Sequence, residues 1–229
     1  MLLRTTLLIS IIVLIFSGYA QSQKQSDSLL VNDILHKADS ATVLQDTLLS
    51  HAKYKFREDA IFNEIDDKGK IKNSDTTISV ITMNGYQEVS REIIRSTKTP
   101  EKKKKEQKGE IGFSLSPNNP DYKFSLTGID DSSYIIAVIP KVMPPKTGIA
   151  SGTVAIDRAN YFIRKIDLEV PKPEGALKEF ASQMTFEPLE GGLVVMTEMS
   201  MRGFAKAFLG IFKIRFAGEI RHSNYEIIK

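Results

Sequence analysis

The chain has 229 residues, with 31 lysines and arginines against 28 aspartates and glutamates, three histidines and no cysteine. A formal charge of +3 is too slight a bias to predict nucleic-acid binding. The lack of cysteine excludes disulfides, thiol catalysis and lipidation of an N-terminal cysteine.

The first twenty residues have the layout of a secretory signal peptide: Arg4 as the charged part, the apolar run Leu7 to Phe16, then the small-residue site Ser17-Gly18-Tyr19-Ala20. The apolar run is well short of the roughly twenty residues that span a bilayer, and the polar QSQKQSDS that follows holds no stop-transfer pattern. Cleavage near Ala20 and a soluble periplasmic protein are therefore expected; an uncleaved anchor is the alternative. Loss of Arg4 with the leader lowers the net charge by one. Residues 21–229 then suit a single domain, long enough to bury roughly 70% of the surface its unfolded form exposes without metal or disulfide.

From Ser28 to Leu49, Leu30, Ile34, Leu35, Ala38, Ala41, Leu44 and Leu48 recur at spacings of mostly three and four, which predicts one or two amphipathic helices with a docking stripe. The period then changes to two. Tyr54, Phe56, Glu58, Ala60 and Phe62 share one side of a strand, Asp66-Asp67-Lys68-Gly69 turns, and Thr76 to Met83 returns. Asn84-Gly85 makes a second turn, and Tyr86 to Ile94 reads as a further strand or a short helix.

At about 95–110 the lysine-rich RSTKTPEKKKKEQK has nothing to bury and predicts a solvated loop. The sharper alternative has Lys102 to Lys105 touching anionic head groups or a partner. Beyond it the alternation continues through Tyr122–Leu126, Tyr134–Ile139, Thr153–Asp157 and Tyr161–Val170. Phe180, Met184 and Phe186 follow on one face of the next strand, then Leu193, Val195, Met199 and Met201, and finally Phe212, Ile214, Phe216 and Ile220. Such a run predicts an antiparallel meander that is apolar on one side. With the helix it makes an α+β layout, the helix covering the apolar face.

The hairpin SGTVAIDRANYFIRKIDLEV, preceded by Pro140-Lys141, together with the upstream YKFREDAIFNEIDDKGKI, resembles the outer-membrane lipoprotein-sorting (LolA-like) superfamily of exported bacterial proteins. The resemblance runs in order from about Tyr54 to Tyr225 and consists of strand and turn patterns rather than catalytic signatures. It implies a curved antiparallel sheet, a half-open β-barrel closed by helices, whose apolar interior in characterised carriers holds the acyl chains of lipids or lipoproteins on their way through the periplasm. The lysine-rich insertion departs from the classical carrier.

Catalytic patterns are missing from the sequence. His36, His51 and His222 form no H-x-x-x-H or H-E-x-x-H spacing, and there is no G-x-S-x-G elbow or phosphate-cradling glycine loop. The pairs Asp66-Asp67 and Asp130-Asp131 fall at turns, where aspartate bonds its own backbone. No enzyme, no cofactor and no metal site is expected. The side chains nominated to line a cavity are Phe124, Ile136, Val138, Phe162, Phe186, Met199, Phe212, Ile214 and Phe216, a surplus for one helical cover. Gly203 to Phe212 (GFAKAFLGIF) is apolar where a hairpin loop should be polar. It reads either as a short helix or strand extension on the core, or as a greasy lip carrying Phe204 and Phe208. Two functions remain: a binding protein for a lipid or lipoprotein acyl chain, serving outer-membrane biogenesis, with possible contacts to a membrane surface or an envelope protein; or a structural or envelope-sensing protein with a filled core.

Overall fold

The structure, a computed structural model, describes residues 28–97, 115–173, 175–207 and 212–228. The leader reading, most of the lysine-rich run and Phe208 lie outside the described residues, and Phe212 is described through its backbone only. One helix, α1 (28–51), is followed by ten strands: β1 (Lys53–Ile65), β2 (Ile71–Asn84), β3 (Gln87–Ser96), β4 (Tyr122–Ile129), β5 (Ser133–Pro140), β6 (Ser151–Asp157), β7 (Ile163–Val170), β8 (Leu177–Pro188), β9 (Val194–Ala207) and β10 (Phe212–Ile227). All ten join one antiparallel sheet in the order β3-β2-β1-β10-β9-β8-β7-β6-β5-β4. The meander expected from the alternation is thus present, curved and not closed. Its single non-local step is the pairing of β1 with β10, and β3 and β4, neighbours along the chain, become the two edges.

The hairpin at 151–170 shows how local chemistry sets register. The Asp157 carboxylate accepts from the amides of Ala159 at 2.9 Å and Asn160 at 2.8 Å, and Arg164 Nη1 donates to its other oxygen at 3.1 Å. Asp157 N then bonds Phe162 O at 2.9 Å, closing the turn. This is the side-chain-to-backbone role that makes aspartate a turn former. Within β6, Gly152 has φ 154°, and a Cβ there would sit 1.9 Å from the carbonyl oxygen of Asp167 on β7, so only glycine fits.

Helix α1 docks by Val31, Ile34, Leu35 and Ala38, all buried, against Ile136, Val138, Val154, Ile156, Ile166 and Leu168 of β5 to β7. Farther along, the docking line departs from the stripe expected from sequence: Leu44 is 59% exposed, and Leu30 and Leu48 are 39% exposed. Contact instead passes through Gln45, whose Nε2 donates to Gly192 O at 2.8 Å while its Oε1 accepts from Val194 N at 2.8 Å. It ends at Leu49 and Ala52, packed on a second small core of Tyr54, Phe56 and Ile81. Counting apolar residues alone passes over a helix face whose middle anchor is an amide. The helix end is held against the β2–β3 turn, where Gly85 N donates to Ala52 O at 2.7 Å and Tyr86 Oη donates to the Asp46 carboxylate.

At the β3 edge, two irregularities in the pairing with β2 fall beside Val89 and Ile94. Bulges of this kind blunt a strand edge against further pairing.

Leu35→Ala is expected to cost about 2–5 kcal/mol, because it removes a buried side chain from a filled core. Leu44→Ala should stay within about 0.5 kcal/mol. Urea unfolding of the two variants checks the docking line.

Candidate functional site

Strand alternation and the observed register decide which side chains share the face that α1 covers. On β1 these are Tyr54, Phe56, Glu58, Ala60 and Phe62, because Tyr54 and Phe56 pack beneath the end of the helix and the face repeats every second residue. Pairing carries the same face to Ile220, Gly218, Phe216 and Ile214 on β10, and from there to Met199, Met201, Gly203 and Ala205 on β9. Next come Met184, Ser182 and Phe180 on β8. The inner face is therefore apolar beyond the two helix-covered cores. Phe62 and Ile214 are 41% and 44% exposed, while Phe216, Ile220, Met199 and Met201 are half-buried.

The nominated side chains divide accordingly. Ile136 and Val138, 0% and 1% exposed, lie in the core filled by α1, and Phe124 and Phe186 pack against it. Phe162 is buried beside the β6–β7 turn. Met199, Ile214 and Phe216 lie on the part of the inner face that the helix does not cover. By the same alternation Phe204 points to the opposite face, where the Arg215 guanidinium sits 4.4 Å and the Lys206 ammonium 5.2 Å from its ring centroid. Residues 203–207 continue β9 and Phe212 opens β10, so the described part of the apolar segment is strand.

Two glycines shape the uncovered strip. A Cβ on Gly203 would meet the Phe216 ring at 2.6 Å and Glu179 O at 2.9 Å, and one on Gly218 would meet Met201 Cγ at 3.1 Å. Phe216 and Met201 lie across these gaps, and Phe62 stacks on Phe216 with centroids 5.6 Å apart. A hollow of about 150 Å³ is lined by Ala60, Ile61, Phe62, Asp75, Thr77, Met201, Gly218 and Ile220. A larger one, about 500 Å³, lies where β7 to β10 run together, with Val170, Phe180, Gly203 and Phe216 beside the charged pairs Arg202–Glu169 at 3.3 Å and Arg215–Glu179 at 3.9 Å. Residues missed by the sequence reading are Phe62, Ile220 and Met201 as strip members and Asp75 and Thr77 as its polar border. Alternation put the first three on the apolar side of their strands, but β1 meets β9 and β10 only through the non-local β1–β10 pairing.

Between the strip and the Tyr54–Phe56–Ile81 core runs a polar belt. Glu58 accepts from Arg91 Nη1 at 2.6 Å and from His222 Nε2 at 3.2 Å, and Arg91 Nη1 also lies 3.2 Å from the Ser79 hydroxyl. His222 Nδ1 lies 3.2 Å from both Met196 O and Tyr225 Oη, and Tyr225 donates to Met196 O at 2.5 Å. Phe56 packs on the imidazole at 4.5 Å between centroids. Burial pushes the Glu58 carboxyl up, but the bonds from His222 and Arg91 outweigh it and hold its pKa below the usual value. Burial pushes the Tyr225 phenol up, so it stays neutral. Every polar atom of the belt is spent on a neighbour, which makes it a structural tie between β1, β2, β3, β9 and β10. By contrast Ser182 Oγ, on the inner face between Leu168 and Met201, is buried with no hydrogen-bond partner among the described residues.

Among the described residues no group of three or more histidines, aspartates or glutamates could hold a metal ion, and no helix is long and apolar enough to cross a membrane.

Solved structures with a similar chain course include a LolA superfamily protein from Nitrosomonas europaea (13% identity, 86% of this chain and 93% of that one, TM-score 0.31). A second is a putative outer membrane lipoprotein-sorting protein domain from Vibrio parahaemolyticus (9% identity, 84% and 93% covered, TM-score 0.35). A third is the MucA/MucB complex of Pseudomonas aeruginosa (10% identity, 84% and 94% covered, TM-score 0.28). The likeness to all three is one of chain course. No family model matches the chain, and no curated protein does.

A carboxyl whose pKa is lowered on folding contributes stability above its unfolded value of about 4.3, lost as pH falls through the folded value. Glu58→Gln is therefore expected to flatten the acid side of the stability profile. At neutral pH it should cost roughly 1–3 kcal/mol, through the donors it leaves poorly matched. Urea midpoints between pH 3 and 7 measure both effects.

Proposed function

We propose that this chain is an exported periplasmic binding protein, not an enzyme, that holds the acyl chain of a lipid or lipoprotein against the uncovered inner face of β1, β9 and β10. In this reading residues 1–20 are a cleaved leader and 21–229 a single LolA-like domain. The observation that carries the proposal is the strip of Phe62, Ile214, Phe216, Ile220, Met199 and Met201, inward-facing yet outside both helix-covered cores. Contiguous apolar surface left open on a water-soluble domain marks a binding site, because each square ångström covered returns about 25 cal/mol. Gly203 and Gly218 withhold side chains where the Phe216 ring and Met201 lie, which lets these two rest along the strip. The second reading, an envelope interaction protein without lipid cargo, draws on the filled packing around Ile136 and Val138.

Substitutions separate the two. Ile136→Ala, in the filled core, should cost about 2–5 kcal/mol. Phe216→Ala should cost visibly less than the about 3–5 kcal/mol of a fully packed phenylalanine, while weakening binding of a neutral fluorescent probe such as N-phenylnaphthylamine. If the wild-type protein binds no probe and Phe216→Ala carries the full packing cost, the strip is core and the second reading stands. N-terminal sequencing of protein recovered from the periplasmic fraction is expected to begin near Gln21; Met1 retained on membrane-bound protein would overturn the assignment of compartment.

A further inference from the structure

One side chain on the border of the strip does not suit a purely hydrocarbon ligand. Asp75 stands directly across from Phe62 in the β1–β2 pairing and lines the same hollow as Ala60, Met201 and Ile220. It is half-buried, and among the described residues the hollow contains no other ionisable group. The carboxylates flanking it along the inner face of β1 are both engaged: Glu64 by Lys72 at 2.7 Å and Asn73 at 3.0 Å, Glu58 by Arg91 and His222. Among the described residues no ion pair or hydrogen bond engages the side chain of Asp75. Covering this carboxylate with hydrocarbon alone would be costly, because an ion taken out of water needs a cation or donor to meet it. Among the described residues, Lys72 and Arg91 are spent on these neighbouring carboxylates.

Resting on the acyl-binding reading above, we infer that the strip selects an amphiphile by its head group: a membrane lipid presenting an ammonium, held by the Asp75 carboxylate and the face of Phe62, with its tail running along Met201, Ile220 and Phe216. A carboxylate beside an aromatic face is the chemistry that recognises ammonium groups, through direct charge attraction and the negative face of the ring. The same carboxylate repels a fatty acid or a phosphatidylglycerol head. The protein as a whole carries a formal charge of +3, so a preference for cations would run against its overall field and must arise locally.

The test uses the whole mature protein and three ligands with the same twelve-carbon tail, dodecylamine, dodecanol and dodecanoate, each below its micelle concentration, displacing N-phenylnaphthylamine. Dodecylamine is expected to bind at least tenfold more tightly than dodecanoate, with dodecanol between. Asp75→Asn should collapse that order to within twofold while leaving the far-ultraviolet circular dichroism that of the wild type. In a second arm, the protein should extract labelled phosphatidylethanolamine from vesicles in preference to labelled phosphatidylglycerol, and Asp75→Asn should lose the preference. Equal affinities, a preference for dodecanoate or phosphatidylglycerol, or an order unaltered by Asp75→Asn overturns the head-group inference while leaving the acyl site standing. Failure of the probe and all three ligands to bind overturns the acyl site itself, and with it this inference.

Discussion

Among the described residues, one helix has to serve a sheet of ten strands. At 1.5 Å per residue α1, residues 28–51, is about 36 Å long and 10 Å wide, whereas ten strands spaced about 4.8 Å apart span about 43 Å and the longest, 16 residues, runs about 50 Å. A cylinder of that size cannot cover such a surface, however it is laid. It crosses obliquely, filling the space over β5 to β7 with Ile34, Leu35 and Ala38 and reaching β1 and β2 only at its last turn. What the helix leaves bare, at β9, β10 and the far half of β1, is the strip on which the functional proposal rests.

The rest of the molecule accommodates that shortfall. Gln45 clips the helix to the β8–β9 turn with a donor and an acceptor at once, which fixes its crossing without adding apolar cover. The Glu58–Arg91–His222–Tyr225 belt ties five strands together where the second core gives way to the strip. Satisfied polar networks of this sort resist rearrangement because breaking one member strands the others in a low dielectric.

The division between filled core and open strip also sorts the aromatic residues by task. Phe56 and Phe162 are buried, and Phe124 and Phe186 pack on the helix-covered core. Phe62 and Phe216 stack on one another with a face still open. Phe204 takes a third role on the opposite face, covered by Arg215 and Lys206 rather than by hydrocarbon. Nothing in the identity of a phenylalanine distinguishes these positions; the register of its strand does.

From the residues alone came the alternation of each strand, the hairpin turns at Asp66–Gly69, Asn84-Gly85 and Asp157–Asn160, the helix at 28–49, and the one-sided antiparallel sheet. These are local properties: a side chain's face follows from a period of two, and a turn from an aspartate or glycine that bonds or bends its own backbone. The tertiary structure alone decided that β1 closes on β10, bringing Phe62 beside Phe216 and Asp75 to the edge of the same hollow. It also decided that Gln45, rather than Leu44, faces the sheet. Both depend on contacts between segments some 150 positions apart, whose partners no local period encodes, and on how far a single helix can reach.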